Sequence, residues 1–109
     1  MPKATSPTRR AATVAAGEAP HVALRLYVAG VAVNSMRAIA NLDALRHSHL
    51  ELRGPVEIVD VFREPERAAQ DAVLLTPMLV RLLPGVPVRI VGDLSDTPAV
   101  LATLGVAGL

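Results

Sequence analysis

A reactive nucleophile is the feature that would most sharply define a chain of 109 residues, and this one contains no cysteine. Thiolate attack, disulfide exchange and cysteine-ligated metal sites are therefore excluded. The next candidate is Ser35, which stands beside Asn34 at the expected start of a helix, where the dipole and free N–H groups favour an anion. There it could activate a thiol such as glutathione. Capping the helix is a simpler role for Asn34-Ser35 and needs no substrate. His21, His47 and His49 invite a metal reading, but His47 and His49 are two apart and face different sides of a helix. Near a helix C-terminus a histidine is more simply a partner for the dipole. Glu57 and Asp60 have no second carboxylate placed for acid–base work. Gly92-Asp93-Leu94-Ser95, with one glycine and an acid, is a poor cradle for phosphate. These residues call for no metal, no cofactor and no catalytic group.

The remaining chemistry is binding. After Lys3 every cation is an arginine, including Arg25, Arg37, Arg46, Arg53, Arg63, Arg67, Arg81 and Arg89. Arginine suits bidentate pairing with carboxylates at interfaces, although an overall Arg and Ala bias equally reflects a GC-rich genome. A formal net charge of +1 is too balanced for a polycation that binds nucleic acid, and 2% aromatic residues provide no platform for stacking bases. At 51% hydrophobic the chain is too apolar for disorder, yet no apolar run approaches the roughly 18 residues of a membrane span. These balances predict a soluble, cytoplasmic single domain with an aliphatic core.

The elements that position these residues follow from periodicity and punctuation. Residues 1–20 hold three prolines and small residues without aliphatic periodicity, and read as a disordered leader before a domain over 21–109. The Arg9-Arg10 pair lacks the apolar segment of an export signal. His21–Ala29 alternates as a strand up to Gly30. From Met36 the spacing turns helical, with Met36, Ile39, Ala40, Leu42 and Leu45 predicted as the buried stripe, until Gly54-Pro55. Val56–Phe62 reads as a second strand, too continuously apolar for a face open to water. A short exposed helix over about 65–73 follows. Met78–Leu83 and Pro87–Val91 flank Pro84-Gly85 as a hairpin, and Thr97–Leu104 closes the chain as a helix. The order β-α-β-α-β-β-α implies a parallel first pair and a mixed four-stranded sheet, an α/β architecture of thioredoxin-like type. Thr76-Pro77 then falls where such folds place a cis-proline.

Leu24-Arg-Leu-Tyr-Val-Ala-Gly30, Asn34-Ser-Met-Arg-Ala38, Val59-Asp-Val61, Thr76-Pro77 and Ile90-Val-Gly-Asp-Leu-Ser95 resemble the family of the circadian clock protein KaiB, over residues 22–101 without a gap. The resemblance implies a non-enzymatic protein that binds a KaiC-like ring ATPase during its phosphorylation cycle. It also implies two folds, a tetrameric ground state and a thioredoxin-like binding state, with the alternative confined to residues 62–109. Arg37, Arg81 and Arg89 match basic positions of the family and are the implied partner-binding residues. Gly30, Asn34, Ser35, Thr76, Pro77, Gly92 and Asp93 match its scaffold motifs. Val33 replaces a proline, Ala72 a basic contact residue and Val22 an aromatic, and the family's acidic C-terminal tail has no counterpart before Leu109. A second reading, a sensor or interaction module of a histidine-kinase pathway, follows from the KaiB-like domain of an adaptor kinase. Homo-oligomers are a further implied partnership.

Overall fold

A computed structural model describes residues 22–106; the leader, His21 and the last three residues lie outside the described part. The expected order is observed: β1 (Ala23–Val28), α1 (Val33–Ser48), a 3₁₀ turn (Leu50–Leu52), β2 (Val56–Asp60), α2 (Pro65–Gln70), β3 (Met78–Leu83), β4 (Val88–Val91) and α3 (Thr97–Leu104). The four strands form one sheet in the order β2-β1-β3-β4. β1 and β2 are parallel, whereas β3 is antiparallel to both β1 and β4. This is the thioredoxin-like arrangement expected for a helix crossover followed by a hairpin.

Alternation along β1 divides the core. Leu24, Leu26 and Val28 join Ala38, Leu42 and Leu45 of α1, Leu79 of β3, and Val100, Leu101 and Leu104 of α3. Tyr27, Val59, Met78 and Val80 cluster on the opposite face, with Val61, Val73 and Leu82 packed against them. The α3 helix starts as its sequence specifies: the Asp96 carboxylate accepts the Ala99 N–H at 3.2 Å, Pro98 occupies the first turn, and Gly105 ends it in the left-handed region.

Four local expectations are corrected. The α1 helix begins at Val33, so Asn34 and Ser35 lie inside its first turn, and Ala32 at the N-cap makes no side-chain capping bond. Its buried stripe is Ser35, Ala38, Leu42 and Leu45, leaving Met36 and Ala40 exposed and Ile39 half-buried. The cause is local, because Ser35 Oγ accepts the Ala29 N–H at 2.9 Å and draws the first turn onto the end of β1. The β2 strand is an edge strand, so Ile58 remains 47% exposed despite its apolar sequence. Phe62 lies beyond the strand and is also exposed. Both Thr76-Pro77 and Leu83-Pro84 are cis, the second unforeseen in the Pro-Gly turn.

Candidate partner-binding rim

The strand directions gather the motif residues at one end of the sheet. Val28 lies opposite Asp60, Tyr27 opposite Met78, and Met78 opposite Val91. The ends of β1, β2 and β4 therefore meet the beginning of β3. Gly30, Asn34, Ser35, Thr76, Pro77, Gly92 and Asp93 all belong to segments that leave or enter this rim.

Each segment is tied to its neighbour. The Asp60 carboxylate accepts the Gly30 N–H at 3.1 Å and the Phe62 N–H at 2.9 Å, joining the loops after β1 and β2. Gly30 has φ +54°, and a Cβ there would stand 3.3 Å from the Phe62 ring, so conformation and space both favour glycine. The Pro77 carbonyl accepts the Gly92 N–H at 2.9 Å, linking the cis-proline loop to the end of β4. Asn41 on α1 donates to the Asp93 carbonyl at 2.8 Å. Hydrogen bonds from Ser95 hold the Asp93 carboxyl below its ordinary range, with a smaller contribution from the charge of Arg37.

A rim so braced presents apolar side chains to water. Val31, Val33, Met36, Phe62, Leu74 and Leu75 are all exposed, Leu74 at 90%. Exposed apolar side chains gathered at one end of a fold mark an interaction surface. Ser35 does not supply chemistry here, because its hydroxyl is buried and serves as the acceptor for Ala29. Asn34 is exposed.

The three arginines expected to meet a partner are not brought together. Arg37 is exposed on α1, close enough to the rim for its charge to act on Asp93. Arg81 lies opposite Leu24 on the α1 face of the sheet and donates to the carbonyls of Leu104 at 2.9 Å and Val86 at 3.1 Å. Arg89 lies opposite Val80 on the other face and donates to the carbonyls of Asp71 and Ala72 after α2. His47 and His49 each place Nδ1 within 3.1 Å or less of the carbonyl four residues earlier, at the end of α1.

Sequence reasoning missed a polar network beneath α2. Arg25 pairs with Glu57 at 2.9 Å and with Asp71 at 3.1 Å; Arg67 pairs with Glu57, and the Tyr27 hydroxyl donates to Asp71. Hydrogen bonding from Arg67, assisted by Arg25, lowers the Glu57 carboxyl to about 2. Arg25 and Glu57 stand opposite one another in the β1–β2 ladder, a pairing visible only once that register is known. Asn41, likewise, carried no signal beyond its polarity.

The KaiB domain family model matches residues 25–106. The chain is 40% identical over 85 residues to circadian clock protein KaiB3 of a Synechocystis species, covering 78% of this chain and 83% of that protein. It is 41% identical over 81 residues to circadian clock oscillator protein KaiB of Prochlorococcus marinus strain MED4, covering 74% and 76%. Among solved structures, the N-terminal domain of Synechococcus elongatus SasA superposes with TM-score 0.62 at 22% identity, covering 82% of this chain and 86% of that one. Oxidized mitochondrial thioredoxin 3 of Saccharomyces cerevisiae gives TM-score 0.63 at 17% identity, covering 78% of each. The structural likenesses establish the thioredoxin-like fold, and the family-model and sequence matches establish that this chain belongs to the KaiB family.

Proposed function

We propose that the protein is a non-enzymatic clock-type regulator that binds a KaiC-type ring ATPase through its rim and modulates the ATPase's phosphorylation cycle. One observation carries this reading: the family motifs converge where a thioredoxin-like oxidoreductase holds its nucleophile, and there the chain offers exposed Val31, Val33, Met36 and Phe62 instead of a thiol. An apolar centre beside Arg37 suits a partner surface that is apolar and fringed with carboxylates. Arg81 and Arg89 act in this reading from opposite faces, and each must leave the backbone carbonyls it now holds to reach a partner. The fold described here is the binding-competent one, and any second fold rearranges residues after about 62. The working compartment is the cytoplasm; among the described residues no helix is long and apolar enough to cross a membrane.

Native mass spectrometry of the chain mixed with the KaiC-type ATPase of its own organism, across nucleotide and phosphorylation states, tests the pairing. Stoichiometric capture by the ring in one phosphorylation state is expected, weakened by Arg37→Ala and by Phe62→Ala. Failure to bind in every state would contradict it. The likeness to the SasA N-terminal domain favours a second reading, an interaction module in a histidine-kinase pathway. Capture of a sensor kinase in place of the ring would select that reading.

A further inference from the structure

The short α2 helix is held to the sheet by polar contacts more than by packing. Of its six residues only Ala68 is buried, and that side chain is a single methyl group. Its hooks are charged. Arg67 grips the Glu57 carboxylate of β2 through two N–H groups, at 2.5 and 2.8 Å. Just past the helix, the Asp71 carboxylate accepts from Arg25 at 3.1 Å and from the Tyr27 hydroxyl, both on β1. Arg89 of β4 donates to the Asp71 and Ala72 carbonyls. Glu64 touches Arg67 at 3.3 Å, but it belongs to the same segment and cannot tie it to the sheet. β3 presents Met78, Val80 and Leu82 to this side, which do not titrate. The segment closes on Ala72 at φ +53°, a left-handed conformation that alanine adopts at a cost.

We infer that α2 is a strap latched by charge: when Glu57 and Asp71 are protonated, residues 64–73 lift from the sheet while the four strands stay paired, uncovering the apolar face around Tyr27. Removing the two carboxylate charges leaves Arg25 and Arg89 on the sheet facing Arg67 on the strap, so attraction turns into repulsion between cations. The sheet does not need the strap. Its ladders are made between the strands themselves, and the larger core cluster, with α1 and α3, fills the opposite face. What the strap covers is the smaller cluster of Tyr27, Val59, Met78 and Val80. Arg67 and then Arg25 hold the Glu57 carboxyl at about 2, and the Tyr27 hydroxyl first holds Asp71 low, so the latch is complete above pH 4.5 and opens as pH falls toward 2. The paired side chains keep 22–44% of their surface in water, so salt weakens the same latch. None of this depends on the function proposed for the rim.

Tyr27 is the chain's only tyrosine and tryptophan is absent, so the tyrosine band of the near-ultraviolet circular dichroism spectrum reports this face alone. Acid titration of the full-length chain from pH 7 toward pH 2 is expected to change that band while the far-ultraviolet signal of the sheet persists. Added salt is expected to move the change to higher pH. A helix of six residues does not persist once detached, so release is also read by amide exchange. At neutral pH, Arg67→Ala removes the strap's own hook without touching the sheet. It is expected to speed exchange in residues 66–73 about tenfold or more, with β1, β3 and β4 unchanged. If that variant does not fold, Asp71→Asn supplies the same comparison. A Tyr27 band and a far-ultraviolet signal lost together, or strap exchange in a folded variant equal to that of the wild type, would overturn the proposal. So would release accompanied by lost protection in β3 and β4, which is a rearrangement of the later half and not the lifting of a strap.

Discussion

Removing the Ser35 hydroxyl leaves the Ala29 N–H without its 2.9 Å acceptor at the junction of β1 and α1. Ser35→Ala is therefore expected to destabilise the fold by about 1–3 kcal/mol, measured by chemical denaturation, without removing any catalytic activity. No change in stability would contradict the buried role. The Glu57 carboxylate makes a separate claim about pH. Arg67 and Arg25 lower its pKa from 4.5 to about 2, so its stabilising contribution is complete above pH 4.5 and disappears as pH falls toward 2. Asp71, held low first by the Tyr27 hydroxyl, acts with the same sign. Denaturation midpoints followed from pH 6 to pH 2 are expected to fall in the wild type and to fall less in Glu57→Gln; parallel curves would count against the network. At this scale Gly30, Pro77, Gly92 and Asp93 were legible because each does a local job that its residue type announces. Ser35 was misplaced because its partner, Ala29, belongs to the preceding strand, and the Arg25–Glu57 pair was hidden because it depends on register.

Elements were legible where punctuation was strong. Asp96, Pro98 and Gly105 delimit α3 at both ends, and the bounds Thr97–Leu104 follow from them. Asp96→Ala is expected to cost about 0.5–2 kcal/mol by loss of the cap, seen as earlier amide exchange in the first turn of α3; unchanged exchange would deny the cap its role. The α1 helix lacks such a signal, since Ala32 caps it without a side-chain bond, and its apolar residues fit two helical phases. Both phases bury Leu42, but only the observed one leaves Met36 on the rim. Leu42→Ala is expected to destabilise by about 2–5 kcal/mol, whereas Met36→Ala leaves stability nearly unchanged and weakens partner binding. Equal losses in both variants would restore the phase that the apolar spacing alone suggests. The burial of β2 was unreadable for a related reason: its composition resembles that of an internal strand, and only the strand order makes it an edge.

At the scale of the molecule, the family resemblance divides the chain at about residue 62. Each half holds one internal and one edge strand, β1 and β2 before residue 62 and β3 and β4 after it, but the first half has the long helix α1 and the second the shorter α2 and α3. Native-state hydrogen exchange is expected to protect residues 22–61 more than 62–106, and uniform protection would argue against a second fold built from the later half. The central claim concerns the end of the sheet where both halves meet. Hydrogen exchange of the chain alone and in complex with the KaiC-type ring tests it most directly. Added protection is expected in the segments 30–36, 60–64, 74–77 and 92–95, with the hairpin turn at 84–87 unaffected. Ring binding that protects the hairpin or the β2 edge and leaves the rim exchanging freely would contradict the account.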